Sequence, residues 1–127
     1  MRKYYLSFMF LMLVLAMFLV VGCGARFVDD AHKTLSISKE TYDSSLTVAG
    51  DLYKQNHITE EQKDRVIEYG THYMIVHNEA VSALLEYELT KDEDAKDRYF
   101  QTVKDVLSRL SFLTDYVRSI GGNDELE

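Results

Sequence analysis

Apolar residues recur along the chain at alternating steps of three and four positions in three long stretches. An average spacing of about 3.5 residues is typical of α-helices whose apolar seams pack nearly parallel or antiparallel to one another. The pattern therefore predicts three packed helices. The predicted seam residues are Val28, Ala31, Leu35, Ser38, Tyr42, Ser45, Ala49 and Leu52 in the first stretch; Ile67, Gly70, Met74, His77, Val81 and Leu84 in the second; and Tyr99, Val103, Val106, Leu110, Leu113, Val117 and Ile120 in the third.

The segments between these stretches carry helix-boundary signals, and the chain contains no proline. Thr59 followed by Gln62, and Thr90 followed by Glu93, have the spacing of capping boxes. Gly121 is placed to end the last helix. We therefore predict an all-α fold, an antiparallel up-down-up three-helix bundle with short connections. Its helices are expected at about 28–55, 60–89 and 91–120, after an N-terminal apolar segment that could itself be helical.

Folding the chain into two antiparallel hairpins predicts which seam residues face each other. Gly70 is expected as a close-approach position between Ser45 and Leu110, because small residues facing large ones fill a core evenly. His77 is expected opposite Ser38. A hydrogen bond between these two would satisfy a buried imidazole and fix the register of the helices, so we interpret them as a structural polar pair of the core.

The N-terminus has the three parts of a secretory signal, namely a positive head, an apolar body and a small residue before a boundary. Met1-Arg2-Lys3 is the head, and Tyr4 to Val21 is the uncharged body. The next residues complete the sequence Val20-Val21-Gly22-Cys23, which resembles the lipobox of bacterial lipoproteins. The chain's single cysteine falls at the position where that signal requires one.

The resemblance implies that the Cys23 thiol receives a diacylglyceryl group and that cleavage follows Gly22, leaving an acylated N-terminus, with palmitate among the fatty acids. The expected organisation is a signal peptide at 1–22, a lipidated tether at 23–27, the bundle at 28–121 and an acidic tail at 122–127. The expected location is the bacterial cell envelope. Because Gly24 rather than Asp follows the cysteine, the periplasmic face of the outer membrane is favoured if the cell is Gram-negative.

Two other interpretations of this segment remain open. The apolar run from Tyr4 to Val21 is about as long as a membrane span and could be retained as one. Cys23 could also be an incidental buried thiol. In either case the chain has no second cysteine, so it forms no intramolecular disulfide and no multi-thiolate metal site.

The charge of the chain excludes some classes of partner. Its 14 basic and 21 acidic residues give a net charge of −7, and removal of Arg2 and Lys3 with the signal would lower this to −9. A strongly acidic surface does not bind nucleic acid, whose phosphates require Lys and Arg. It also opposes adsorption of the bundle to anionic lipid.

No pattern of catalytic or metal-binding residues emerges. His72 and His77 are five residues apart, which places them on different helix faces. Nucleophile elbows, phosphate-binding glycine loops and haem-attachment motifs are missing from the sequence. A narrow bundle is also expected to offer less than the ~300 Å³ of a usual binding pocket. We therefore predict no enzymatic activity, no catalytic residue, no metal and no cofactor.

The sequence thus favours a lipid-anchored, non-enzymatic helical protein that acts as a scaffold or protein-interaction module. Its partners would be the membrane, through acylated Cys23, and either another protein or further copies of itself. Leu107, Phe112 or Tyr116 would mark an interaction patch if they face away from the core. Two alternatives are a small-ligand or metal carrier, and a helical subunit of a larger envelope or mobile-element assembly.

Overall fold

A computed structural model describes residues 2–122, with side chains from Arg26 onwards. All its regular structure is helical in this described range: α1 spans Arg2–Lys54, α2 Glu60–Thr90 and α3 Glu93–Gly121. The chain divides into two compact units, residues 1–33 and 34–127. Within the part whose side chains are described, no helical segment has the length and hydropathy of a membrane span. The apolar segment Tyr4 to Val21, Gly22 and Cys23 lies outside that part.

The second unit consists of three helices packed against each other, as the seam pattern predicts. Contacts between α1 and α2 run in opposite directions along the two helices, since Leu46 approaches Gly70 while Ser38 bonds Tyr73. α1 and α2 are therefore antiparallel. α2 and α3 are antiparallel as well, because Tyr69 packs on Tyr116 while Glu86 pairs with Arg98. One cluster of buried residues joins all three helices and lies toward the end of the unit that holds the α1–α2 connection: Ala49, Val66, Leu113 and Val117.

Helix boundaries follow the local signals, with one exception. The capping box at the start of α2 is confirmed, because Thr59 Oγ1 accepts from the Gln62 amide and Gln62 Oε1 accepts from the Thr59 amide. The second predicted box is wrong. Asp92 is the N-cap of α3, and its carboxylate accepts from the Asp94 amide at 3.1 Å.

The reason for the exception is that Thr90 belongs to the last turn of α2. Its hydroxyl donates to Glu86 O and accepts from the Asp92 amide. These bonds place the hydroxyl at the end of α2, and it does not accept from the Glu93 amide as a capping box would require. The turn is completed by Lys91 in the left-handed conformation, with φ of 54°. Consequently α3 begins two residues later than predicted and ends, as predicted, at Gly121.

The predicted seams are confirmed in α1 from Leu35 to Leu52 and throughout α3, where every seam residue is buried or half-buried. The seam of α2 is partly wrong, because Ile67 is 56% exposed. The helix is rotated by about one residue, ~100°, so that Val66 points inward instead. The buried residues of α2 are Val66, Gly70, Tyr73, Ala80, Ala83, Leu84 and Tyr87.

Gly70 is a close-approach position, but the residues it approaches differ from the prediction. A methyl group at Gly70 would meet the Tyr42 ring and hydroxyl at 3.4 Å and Leu46 Cδ2 at 3.6 Å. Ser45, the predicted neighbour, instead donates its hydroxyl to Thr41 O within α1. A shift of one residue along α1 brings Leu46 rather than Ser45 over the glycine.

Candidate functional site

The only buried polar side chains among the described residues of α1 are serines, and one of them organises a small aromatic cluster. Ser38 Oγ donates to Leu35 O at 2.9 Å and lies 2.9 Å from Tyr73 Oη. Because a serine hydroxyl has one hydrogen, Tyr73 is the donor in the second bond. Ser38 and Tyr73 thus form the hydrogen bond between α1 and α2 that the sequence analysis assigned to Ser38 and His77.

The predicted Ser38–His77 pair is therefore wrong. Tyr73 lies one turn before His77 on α2, and its longer side chain reaches Ser38 and donates to its hydroxyl oxygen. His77 packs with its ring centre 5.5 Å from that of Tyr73. Both of its ring nitrogens are buried without a hydrogen-bond partner among the described residues. Leaving such atoms unsatisfied costs about 1–3 kcal/mol.

The tyrosine rings of this cluster form a stack between α1 and α2. The rings of Tyr42 and Tyr73 have centroids 4.6 Å apart and an interplanar angle of 17°. Lys39 Nζ lies 5.1 Å from the Tyr42 centroid and 2.6 Å from Asp43 Oδ1. From the surface to the core, the Lys39–Asp43 ion pair is therefore followed by the half-buried Tyr42 ring and then by the fully buried Tyr73 ring.

Burial sets the electrostatics of Tyr73. Desolvation raises its pKa above the usual 10.0, and this effect outweighs the hydrogen bond with Ser38, which lowers it. The pKa of Tyr42 is raised for the same reason, with Lys39 opposing the shift. Both phenols therefore stay protonated at neutral pH. Neutral phenols beside one serine and one imidazole supply neither a nucleophile nor a metal site.

The other histidines do not assemble a site. His57 is exposed in the α1–α2 connection, and His32 is exposed on α1. His72 lines a 130 Å³ cleft between α2 and α3 with Tyr69, Arg109 and Phe112. Among the described residues, no three His, Cys, Asp or Glu side chains are grouped closely enough to hold a metal ion.

Two surface grooves are larger than the sequence analysis expected. One of 450 Å³ lies between α1 and α3, where its charged lining residue is Arg118. The other, of 430 Å³, lies between α2 and α3 and is bordered by Glu79 and Arg98. The expectation of little concave volume was wrong. Small residues such as Ser44, Ser82 and Gly121 line the grooves between the helices and leave space that larger side chains would fill.

The groove between α2 and α3 is closed at one side by an ion pair. Arg98 Nη2 lies 2.7 Å from Glu86 Oε2, and this bond raises the pKa of the guanidinium further above its usual value. Both side chains are about half exposed, so the pair contributes little to stability.

One side of α2 is uncharged and exposes large aliphatic residues. Ile67, Ile75, Leu85 and Leu89 are 47–86% exposed and recur along the helix. Between Ile67 and Leu89, a sector of about 120° contains no charged residue, when positions are projected at 3.6 residues per turn. We call this sector the outer stripe. It consists of Ile67, Thr71, Met74, Ile75, Asn78, Val81, Ser82, Leu85 and Leu89.

The seam pattern assigns Ile67, Met74 and Val81 to the core, so it does not predict that the outer stripe faces the surface. The signal was present in the sequence, since α2 has apolar residues on more than one side. Of the three residues named as patch markers, Leu107 and Phe112 are exposed, at 49% and 62%, whereas Tyr116 packs on the core with its ring against Tyr69. Leu107 and Phe112 are five residues apart, so they lie about 140° apart around α3 and do not form one patch.

Comparison with known proteins gives no assignment. No protein-family description, no curated protein and no solved structure matches the chain.

Proposed function

We propose that the protein is a lipid-anchored helical protein of the bacterial cell envelope that serves as a non-enzymatic scaffold or protein-interaction module. The observation that carries the proposal is the position of the single cysteine. Cys23 follows a positive head and an uncharged apolar body, directly after Val20-Val21-Gly22. Acylation of Cys23 after cleavage at Gly22 would attach the chain to the membrane by two or three fatty acids, including palmitate. Two chains anchor stably, whereas one binds only marginally.

The described helices support a role in binding rather than in chemistry. Their buried polar groups are two serines, neutral tyrosines and one histidine, which do not combine into reactive geometry. Their surface instead exposes large aliphatic residues along α2, and contiguous exposed apolar area typically marks an interaction site. The periplasmic face of the outer membrane is the location we propose for a Gram-negative cell.

Metabolic labelling with an alkyne analogue of palmitate tests the anchor. We expect the full-length chain to incorporate label and to sediment with membranes after a wash in high salt. Cys23→Ser should lose the label and accumulate as the larger, unprocessed precursor. Gly24→Ala, which changes the next residue and leaves the cysteine intact, serves as the matched control and should label normally. Equal labelling of Cys23→Ser and the parent chain would refute lipidation.

A further inference from the structure

The outer stripe has the residue spacing of a second packing seam. Its members are exposed except for Met74 and Val81, which are half-buried beside the residues that face the bundle core. Six of its residues alternate at steps of four and three from Ile67 to Leu85: Ile67, Thr71, Met74, Asn78, Val81 and Leu85. In heptad terms Ile67, Met74 and Val81 occupy d positions, while Thr71, Asn78 and Leu85 occupy a positions. A helix with an apolar seam on its outer face can pair with another helix there.

The polar residue at the centre of this seam favours a particular partner. Asn78 is exposed and occupies the middle a position. In a parallel two-stranded coiled coil each a residue faces its own copy, and a single Asn at such a position specifies register and a dimeric state. Asn78 would then face the Asn78 of a second chain, where two amides can bond each other. A second copy of the same helix would therefore supply the hydrogen-bonding partner of the Asn78 side chain, and no other partner needs to be assumed.

Charge along the edges of the stripe also favours a parallel, in-register copy. The e positions beside the seam are Ile75, Ser82 and Leu89, so no like charges meet there. One heptad earlier, Lys63 occupies a g position and Glu68 the e position five residues on. In parallel coiled coils these two positions contact across the pair, so Lys63 of one chain would meet Glu68 of the other, twice by symmetry. To do so, Lys63 would leave the Tyr53 ring of its own chain, from whose centroid Nζ lies 4.6 Å in the single copy.

The ends of the stripe limit how far the contact extends. Asp64 is the a position before Ile67, and Glu88 is the d position after Leu85. In a parallel dimer each of these acidic residues would face its own copy, and the like charges would repel. The contact between the two chains is therefore confined to the helical turns between Asp64 and Glu88. The span from Ile67 to Leu89 is about 33 Å long at 1.5 Å per residue, and a helix is about 10 Å wide. The projected area, about 330 Å² per chain, is less than half of the ~800 Å² that a stable interface uses.

We propose that the outer stripe of α2 pairs with the same stripe of a second copy in a parallel, in-register dimer that forms on the membrane. This inference rests on the proposed anchoring, for two reasons. Anchors at the same end of each chain give neighbouring copies the same orientation. Confinement to one surface also raises their effective concentration, which compensates for a small interface. The protein's partner at this face is thus itself.

Cysteine crosslinking in membranes tests the register. Thr71→Cys, Asn78→Cys and Leu85→Cys are introduced singly into the full-length chain, membranes are oxidised, and dimers are read on non-reducing gels. In the parallel dimer each of the three variants crosslinks to itself, with a yield several-fold above that of Asp105→Cys, an exposed position on α3 outside the stripe. All three positions are exposed, so none of the substitutions disturbs the core.

The outcomes separate the alternatives. Yields no higher than for Asp105→Cys would overturn the dimer. Self-crosslinking of Asn78→Cys alone, together with a mixed crosslink between Thr71→Cys and Leu85→Cys chains, would show an antiparallel pair and overturn the proposed orientation. The parent chain reports on the anchor independently, since a disulfide through Cys23 would mean that its thiol is not acylated.

A charge exchange provides a second measurement. With Thr71→Cys as reporter, Glu68→Lys places two lysines across the pair and should lower the crosslinked yield about two- to fivefold, the range that a surface ion pair supports. Adding Lys63→Glu restores opposite charges and should restore the yield. If the double exchange fails to recover a yield that Glu68→Lys lowered, the Lys63–Glu68 contact and the in-register pairing are wrong.

Discussion

At the scale of single residues, Tyr73 has the most constrained environment in the described structure. Its side chain is fully buried, its ring is stacked on Tyr42, and its hydroxyl bonds Ser38. A hydroxyl in this position is tolerated because a partner is present across the helix interface. His77 lies four residues later, and its buried ring nitrogens have no hydrogen-bond partner among the described residues. Two polar side chains one turn apart on the same helix therefore differ in whether they form a hydrogen bond.

The raised pKa of Tyr73 predicts sensitivity to alkali. Burial favours the neutral phenol, so its folded-state pKa exceeds the value of 10.0 for an exposed tyrosine. The associated stabilisation is fully present below pH 10 and is lost as pH rises through the folded-state value. Tyr73→Phe should therefore flatten the decline of unfolding free energy above pH 10, measured by urea denaturation across pH.

Tyr53→Phe is the control for this measurement, because Tyr53 is 38% exposed and its ring lies under Lys63. An equal effect of both substitutions would contradict the role assigned to the burial of Tyr73. At pH 7, Tyr73→Phe should cost only about 0.5–1.5 kcal/mol, the net value of one hydrogen bond.

At the scale of helices, the start of α3 depends on one side chain. Asp92 accepts from the Asp94 amide and lies at the positive end of the helix dipole. Asp92→Ala should lower the free energy of unfolding by about 0.5–2 kcal/mol, the usual cost of an N-cap. Thr90→Ala should cost less, because Thr90 caps nothing in α3. A larger loss for Thr90→Ala would restore the capping box that the spacing predicts.

The packing of α2 against α1 is tested at Gly70. Gly70→Ala adds a methyl group in ordinary van der Waals contact with Tyr42 and should stabilise by up to about 1 kcal/mol through helix propensity. Gly70→Leu overfills the same space and should cost about 1–3 kcal/mol.

Gly50 provides the matched pair for Gly70, since nothing lies within 4 Å of a methyl group placed there. Gly50→Ala and Gly50→Leu should both stabilise. The difference in unfolding temperature between Gly70→Leu and Gly50→Leu then reports the cost of the steric clash at Gly70, because both variants gain the same helix propensity. Similar unfolding temperatures for Gly70→Leu and Gly50→Leu would show that α1 and α2 do not approach closely at Gly70.

At the scale of the whole molecule, the second unit depends on the cluster that joins its three helices. Leu113 is fully buried there, together with residues of α1 and α2. Leu113→Ala should cost about 2–5 kcal/mol, because it removes apolar contacts and leaves a cavity. Such a loss is a large share of the roughly 5–15 kcal/mol that stabilise a typical domain.

Leu107→Ala is the matched control on the same helix, with the parent side chain 49% exposed. The change in unfolding free energy should stay near 0.5 kcal/mol, as for most surface substitutions. Chemical denaturation of both variants against the parent gives the comparison. If Leu107→Ala were the more damaging change, the inward and outward faces of α3 would have to be exchanged.

The amino-acid sequence alone was enough to predict the three helices of the fold, the capping box at Thr59 and the inward face of α3. Each of these follows from residues close together in the chain, because helix spacing and capping are local properties. It also supplied the position of Cys23 after the apolar segment, on which the proposed anchor rests.

The face of α2 that is buried and the residue that bonds Ser38 both depended on tertiary packing. α2 has apolar residues around most of its circumference, so periodicity permitted more than one orientation. The choice depended on the Tyr42–Tyr73 stack and on the fit of Leu46 beside Gly70, both of which join residues distant in sequence. Packing of this kind depends on whether side chains of different helices are complementary in shape. In this bundle it places Val66 in the core and leaves Ile67 on the surface.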